Sequence, residues 1–172
     1  MAGKGSAFER EICKKLSLWF SGGTAEDWYW RTAGSGARAT TRAKSGKTTR
    51  GHYGDICATC PEAEPLLKKI TFELKRGYNH ATLQDLFDRP ETAAKQTWQK
   101  WIEQARKSAA AAGTPYWAII SRRDRCREII TMPRSLDRRL PCHGHQIRLA
   151  GVVSTPFDDF LKLISPKEIR EL

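Results

Sequence analysis

Apolar residues recur at helical spacing in two segments of the chain. Near the N-terminus, the capping-box pattern Ser6-Ala7-Phe8-Glu9 precedes apolar residues at positions 8, 12, 16 and 19, and Gly22-Gly23 follows. This pattern predicts a helix that is capped at Ser6 and ends at the two glycines. A second helix is predicted over 91–112, with Gly113 ending it. Its apolar face consists of four residues: Trp98, Trp101, Ile102 and Ala105.

Between and after these helices, short runs rich in β-branched and aromatic residues predict five strands. The predicted strands cover residues 28–32, 53–59, 70–75, 116–120 and 128–132. A turn is predicted over 61–65, and an Arg-rich turn over 122–127 separates the last two strands. Thr155-Pro156 and Ser165-Pro166 each place a cap before a first-turn proline, which predicts two short closing helices. The order of elements predicts an α/β fold with a mixed sheet flanked by helices, with residues 133–172 as a C-terminal extension.

Composition narrows the class of protein. The chain has 172 residues, 40% of them hydrophobic, including six Trp and six Phe, and a net charge of +11. It is long enough for one domain with a proper core, and no apolar run approaches the ~20 residues of a membrane span. The N-terminus shows no apolar signal segment. These observations exclude a membrane protein, a secreted mini-scaffold and a coiled coil, and they predict a cytoplasmic protein with a polyanionic partner.

The positive charge is densest between Arg31 and Arg50, a stretch that contains six basic residues, no acidic residue and many Gly, Ser and Thr. Such a segment cannot bury enough apolar surface to fold alone. We interpret residues 31–53 as a basic loop that binds nucleic acid phosphates, the alternative being a solvated surface loop. Its candidate DNA contacts are Arg31, Arg38, Arg42, Lys44, Lys47 and Arg50.

The five cysteines are an odd number, which favours reduced thiols. Cys57-x-x-Cys60, with Cys142 and either His143 or His145, offers two ligand pairs for a structural Zn²⁺. A single CxxC is weak evidence, and the second pair lacks a standard spacing. Buried or idle thiols are therefore the favoured interpretation.

Candidate chemistry lies at Glu73-Leu74-Lys75. Because side chains alternate along a strand, Glu73 and Lys75 share one face while Leu74 points into the core. Asp55, at the start of the preceding strand, offers a second carboxylate, and two convergent carboxylates suit Mg²⁺. Such an ion polarises a phosphate and lowers the pKa of a bound water, which Lys75 would orient or deprotonate. Glu9 borders the apolar face of the first helix and could turn toward the same metal.

Each of these features also has a plain structural interpretation. Glu-x-Lys occurs in many surface strands as an ion pair, Gly-Asp is an ordinary turn, and Glu9 could simply complete the capping box with Ser6. Their joint occurrence on the predicted elements of a strongly basic chain favours catalysis.

Four segments together resemble a known superfamily. They are Lys4-Gly5-Ser6-Ala7-Phe8-Glu9-Arg10-Glu11, Ala33-Gly34-Ser35-Gly36, Gly54-Asp55-Ile56 and Phe72-Glu73-Leu74-Lys75. In these four segments the chain resembles the PD-(D/E)XK nuclease superfamily. Within that superfamily, it most resembles the archaeal-type and phage Holliday-junction resolvases. The likeness covers residues 4–76 by motif and continues more loosely to residue 120.

The resemblance implies a restriction-endonuclease-like fold, with a nuclease core over 1–132, and a role for each matching residue. Asp55 and Glu73 would be metal ligands, the Leu74 carbonyl a third, Glu9 a further acidic residue, and Lys75 the catalytic lysine. Arg10 would contact a phosphate, and Ser35 would help place the cleaved strand. The implied activity is Mg²⁺-dependent nicking of opposed strands of a four-way junction by a homodimer, with Mn²⁺ able to substitute for Mg²⁺.

The chain departs from the resolvase pattern in several places. Gly54 stands where the motif commonly has Pro, the loop between Ser35 and Asp55 is long and basic, and the spacing from Asp55 to Glu73 is wide. Two alternatives therefore stay open: a nuclease of the same fold acting on other DNA in restriction or repair, and a non-catalytic DNA-binding protein.

Gln96 and Gln99 of the second predicted helix are candidates for a polar residue near the site. A solvated helix face is equally consistent with both. Trp98 and Trp101 are predicted to form core or dimer contacts rather than base-stacking platforms.

Overall fold

The computed structural model describes residues 4–32, 54–88, 97–140 and 142–172, which form a five-stranded sheet with helices against both faces. The strands are β1 (Tyr29–Arg31), β2 (Ile56–Ala58), β3 (Ile70–Arg76), β4 (Tyr116–Arg122), β5 (Ile129–Pro133), β6 (Ile147–Leu149) and β7 (Val152–Pro156). The helices are α1 (Lys4–Phe20), α2 (Glu64–Lys69), α3 (Asp85–Asp88), α4 (Thr97–Ala112), α5 (Arg134–Arg139), α6 (Phe157–Leu163) and α7 (Pro166–Arg170).

The main sheet is mixed, with strand order β3-β4-β5-β7-β6. Strands β3 and β4 are parallel, with Glu73 beside Ile119 and Lys75 beside Ser121, and every other neighbouring pair is antiparallel. A parallel pair needs a crossover connection, which α4 provides between β3 and β4. Strands β1 and β2 form a separate antiparallel pair. The predicted α/β architecture is confirmed, and it is consistent with a restriction-endonuclease-like fold.

Helices α1 and α4 cover opposite faces of the sheet. Phe8, Ile12 and Leu16 of α1 are buried in one core cluster with Phe72 and Leu74 of β3. Trp98, Trp101, Ile102 and Ala105 of α4 form a second cluster with Trp117 and Ile119 of β4. Because side chains alternate along β3, this arrangement turns Leu74 toward α1 and leaves Glu73 and Lys75 on the α4 side. The predictions for Leu74 and for the two tryptophans as core residues are confirmed.

Helix α1 begins before the predicted cap. Ser6 lies inside the helix, which starts at Lys4, so the predicted capping box of Ser6 and Glu9 is wrong. The predicted end is correct: Gly22 and Gly23 have φ of 66° and 87°, and the Gly23 N–H donates to the Leu18 carbonyl at 2.7 Å. This left-handed geometry is the usual way in which glycines end a helix.

Other predicted boundaries need correction. The predicted turn over 61–65 is instead a 3₁₀ turn, Pro61–Ala63, that continues into α2. Thr155 and Pro156 belong to β7, and Pro156 rather than Thr155 occupies the N-cap position of α6. Ser165 does cap α7, with a complete capping box to Glu168. The start of the predicted 91–112 helix and Tyr53 of the predicted 53–59 strand lie outside the described residues.

Residues 133–172 supply two strands of the main sheet, β6 and β7, which the sequence patterns did not predict. Strand β7 lies between β5 and β6, and Phe157, Phe160 and Ile169 are buried in the same core cluster as α1. The division into a nuclease core over 1–132 and a C-terminal extension over 133–172 stays a prediction, and the main sheet includes strands from both parts.

No helix within the described ranges is both long and apolar enough to cross a membrane.

Candidate active site

Asp55 is held against the outer edge of β3 by two hydrogen bonds and by the backbone geometry of Gly54. Its N–H donates to the Phe72 carbonyl at 2.8 Å, and its Oδ2 accepts a hydrogen bond from the Leu74 N–H at 2.7 Å. Gly54 has a φ of 76°, and a Cβ there would lie 2.6 Å from the Phe72 oxygen. Glycine alone therefore allows this close approach, which gives a physical reason for Gly54 at this position.

Thr32, which follows β1, holds the same turn from the other side. Its N–H donates to the Asp55 carbonyl at 2.9 Å, and its hydroxyl donates to the Gly54 carbonyl at 2.8 Å. The sequence analysis missed this residue. The contact is long-range in sequence, and a lone Thr gives no local signal for it.

Glu73 is buried, with 2% of its surface exposed, and both of its carboxylate oxygens are bound. Oε1 accepts from the Ser108 hydroxyl at 2.8 Å, and Oε2 accepts from Gln104 Nε2 at 2.7 Å and from Lys75 Nζ at 3.2 Å. Lys75 Nζ also donates to Gln104 Oε1 at 3.0 Å. A buried carboxylate needs hydrogen-bonding partners of this kind, and the network fixes its orientation.

Gln104 and Ser108 are therefore the polar residues of α4 that reach the site. They are four residues apart, so they lie on the same side of the helix. The sequence analysis had selected Gln96 and Gln99; Gln99 is exposed, and Gln96 lies outside the described residues. The sequence signal that could have indicated Gln104 and Ser108 is their position on the helix next to the apolar residue Ala105.

The carboxylates influence one another electrostatically. The pKa of Asp55 is raised to about 6, chiefly by burial and also by the nearby charges of Glu73 and Glu9, against the opposing effects of the Leu74 N–H and Lys75. Asp55 is thus close enough to Glu73, Lys75 and Glu9 for their charges to act on it. A divalent cation would relieve the repulsion among these carboxylates.

Glu9 projects from α1 toward this neighbourhood and meets Arg31 of β1. Its Oε2 lies 3.1 Å from Arg31 Nε, yet among the described residues this buried oxygen has no hydrogen bond of good geometry. Arg31, a predicted DNA contact, is thus engaged by a carboxylate of the site. Its contact with DNA and the role of Glu9 as a metal ligand both stay predictions.

The oxygen donors at this edge of the sheet are of the kind that Mg²⁺ prefers. Within the described ranges, no group of three His, Cys, Asp or Glu side chains is arranged to hold a metal. Mg²⁺ does not require such a cage, since it commonly binds through one or two carboxylates, water and substrate phosphate. The Leu74 carbonyl shares the side of β3 on which its N–H meets Asp55, because the two groups of one residue point the same way in a strand. Asp55, Glu73 and this carbonyl therefore fit Mg²⁺.

The proposed zinc ligands have other neighbours. The Cys57 thiol faces the Arg31 carbonyl at 3.7 Å, and the Cys142 thiol faces the Thr155 hydroxyl at 3.8 Å. His145 lies 3.7 Å from Asp159. In the part of the chain that the structure describes, these side chains form no metal-holding group.

The remaining predicted site residues divide into two groups. Arg10 is partly buried on α1. The others lie outside the described residues: Ser35, Arg38, Arg42, Lys44, Lys47 and Arg50.

The chain is similar to one family of known proteins. The family model described as "Phage putative PDDEXK endonuclease" matches residues 2–171. No curated protein and no solved structure matches the chain. The match includes Asp55 at its turn and the Glu73-Leu74-Lys75 strand, which are the residues that the resemblance to PD-(D/E)XK nucleases rested on. The closer likeness to junction resolvases stays a prediction. Since the match spans nearly the whole chain, the protein belongs to this family of phage PD-(D/E)XK endonucleases and is a nuclease.

Proposed function

We propose that this protein is a divalent-metal-dependent endonuclease that hydrolyses DNA phosphodiester bonds in branched substrates. The observation that carries the proposal is the attachment of Asp55 to Leu74, between Glu73 and Lys75, at the edge of the main sheet. This attachment brings a second carboxylate to the strand that bears the Glu-x-Lys pair. The family membership supports the same chemistry.

Asp55, Glu73 and the Leu74 carbonyl would hold the ion, with Glu9 as a further acidic neighbour. When bound, Mg²⁺, or Mn²⁺ in its place, would polarise the scissile phosphate and lower the pKa of a bound water. The raised pKa of Asp55 supports this assignment, because a carboxylate that is costly to ionise alone gains most from a nearby cation.

Lys75 would act on the phosphate. An ammonium group has three N–H donors, and two of them are directed at Glu73 and Gln104. The third has no acceptor among the described residues and would orient the attacking water or donate to a phosphate oxygen, where the positive charge offsets charge that develops in the transition state. Gln104 and Ser108 act as positioning residues, because they hold Glu73 and Lys75 rather than the substrate.

DNA is the proposed substrate because the chain carries a net charge of +11. Basic proteins bind nucleic acid mainly through phosphate contacts, which read shape rather than sequence. The resemblance to resolvases supports three more specific parts of the proposal. These are selectivity for a four-way junction, paired nicks on opposed strands, and action as a homodimer.

The test uses an immobile four-way junction and a linear duplex of matched sequence, both end-labelled, with Mg²⁺, with Mn²⁺ or with EDTA. Paired nicks on opposed strands of the junction alone, absent with EDTA, are expected. Glu73→Gln and Lys75→Ala should each lower the cleavage rate by at least about a hundredfold. Glu62→Gln, an exposed carboxylate near α2, is the matched control and should cleave like wild type.

Other results would change the proposal in defined ways. Equal cutting of the duplex would keep the nuclease and discard junction selectivity. Metal-independent cutting, or full activity of Glu73→Gln, would refute the assigned site. Tight DNA binding without cutting of either substrate would favour a non-catalytic DNA-binding protein.

A further inference from the structure

A pocket of about 380 Å³ lies next to the catalytic lysine. Its walls come from the segment after β3 that includes Tyr78, from α4, and from the turn between β4 and β5. Lys75 forms part of the lining. The volume is at the lower end of the range for sites that bind small organic groups, roughly 300–1,000 Å³. A strand of DNA whose phosphate lies at Lys75 would pass the mouth of this pocket.

The pocket has an aromatic wall with one accessible ring. Tyr78 is 43% exposed, and its ring packs edge-on against Trp101 with 4.9 Å between ring centroids. Trp101 in turn packs against Trp98 at 4.9 Å. Both tryptophans are buried, so they support the Tyr78 ring rather than offer a free face. A fixed aromatic ring of this kind is suited to stack on a base.

One residue of the pocket wall carries a buried donor without an acceptor among the described residues. Trp98 is 2% exposed and lines the pocket, and no described residue accepts a hydrogen bond from its Nε1–H. A buried indole N–H normally finds a partner, because leaving it unpaired costs free energy. Nucleobases carry carbonyl oxygens and ring nitrogens at their edges that could accept this bond.

The charged side chains that line the pocket are all basic. The lining includes four basic residues and no acidic residue. Lys75 and Arg122 are paired with carboxylates behind the pocket. Arg123 and Arg127 of the turn are exposed and, within the described part of the chain, neither has an ion-pair partner. These two guanidinium groups favour a ligand with negative charge, and a nucleotide in a strand has a phosphate on either side of its base.

We propose that this pocket binds one unpaired nucleobase of the DNA strand held at Lys75, with its ring on Tyr78 and one of its acceptors on Trp98. The proposal rests on the proposed function and adds a recognition element to it. Enzymes that act on branched or damaged DNA meet unpaired bases at low cost, since such bases are already partly unstacked. The pocket would therefore favour substrates with an unpaired nucleotide close to the cleaved bond.

Binding is measured by fluorescence anisotropy in EDTA, so that cleavage does not enter. The probes are a labelled duplex with one unpaired central nucleotide and the same duplex fully paired. Wild type should bind the duplex with the unpaired nucleotide about tenfold more tightly, in line with the usual contribution of one stacked base. Tyr78→Ala should bring the ratio of the two affinities close to one, and Tyr78→Phe should preserve it. Trp98→Phe, which keeps a ring and removes the donor, should reduce the ratio severalfold.

Phe87→Ala is the matched control, because Phe87 is 77% exposed and does not line the pocket. It should leave the ratio unchanged. A wild-type ratio of one, or a ratio that survives Tyr78→Ala, would overturn the proposal. Free deoxyadenosine monophosphate that competed as strongly as the DNA probe would overturn it too, because the pocket would then serve a free nucleotide.

Metal-dependent cleavage assayed in parallel separates the two proposals. Cleavage without the preference refutes the pocket alone, and the preference without cleavage supports the pocket while refuting the nuclease mechanism.

Discussion

Asp55→Asn should stabilise the metal-free protein while it abolishes metal-dependent activity. The fold raises the pKa of Asp55 from an ordinary value of 3.8 to about 6, with burial as the largest cause. A group whose pKa is raised by folding stabilises the fold below its unfolded pKa, and this contribution is lost as the pH rises toward the folded pKa. Ionised Asp55 therefore opposes folding above pH 6.

The magnitude follows from the size of the shift. Two pKa units correspond to about 3 kcal/mol, at about 1.4 kcal/mol for each unit. The Asn side chain keeps an oxygen that can accept from the Leu74 N–H and removes the charge. At pH 8 in EDTA, the free energy of unfolding of Asp55→Asn should exceed that of wild type by up to about 3 kcal/mol, and the difference should vanish below about pH 4.

The assay is urea unfolding followed by tryptophan fluorescence at several pH values. Asp88→Asn, which replaces an exposed carboxylate in α3, is the control and should shift the unfolding midpoint little at any pH. Addition of Mg²⁺ should stabilise wild type and leave Asp55→Asn unchanged. A variant at pH 8 that is no more stable than wild type would refute the account of Asp55 as a strained, buried charge.

Three further predictions concern other parts of the structure. Gly54→Ala should destabilise the protein by about 2–3 kcal/mol and sharply reduce cleavage, because the added Cβ would lie 2.6 Å from the Phe72 oxygen at a positive φ; unchanged unfolding and cleavage would contradict this contact. Iodoacetamide at pH 8 should modify the exposed Cys126 quickly and leave Cys13 intact, because burial raises the pKa of Cys13 to about 12. Peptide mass mapping checks this, and early modification of Cys13 would count against its burial. Ser165→Ala should lower the free energy of unfolding by about 1 kcal/mol through loss of the cap of α7; equal unfolding midpoints in urea would show that the cap contributes nothing.

The central part of the site could be predicted from the sequence because it depends on local periodicity. In a strand, Glu73 and Lys75 must share a face, and an apolar Leu74 between them fixes which face is buried. The Gly54-Asp55 pair directly precedes a short apolar run, and this pattern places Asp55 at the start of a strand. These constraints act over a few residues, so the sequence alone contains them.

The supporting residues could not be predicted in the same way, because they depend on how elements pack. Gln104 and Ser108 reach Glu73 only because the buried residues of α4 set its rotation on the sheet. The start of α1 was also predicted wrongly. Ser6 and Glu9 have the spacing of a capping box, but the helix already includes Lys4 and Gly5, and Glu9 lies beside Arg31, which is distant in sequence.

The attachment of Asp55 to β3 also bears on how the protein avoids self-association. Strand β3 is an outer strand of the five-stranded sheet, and such strands present unpaired N–H and C=O groups to which another chain can add. The Asp55 backbone and side chain occupy the Phe72 carbonyl and the Leu74 N–H at this border. At the opposite border, β6 is only three residues long and bears Arg148 at its centre. The residue proposed to bind metal thus also shields the sheet, and changes that release the Gly54-Asp55 turn should promote aggregation along with the loss of activity.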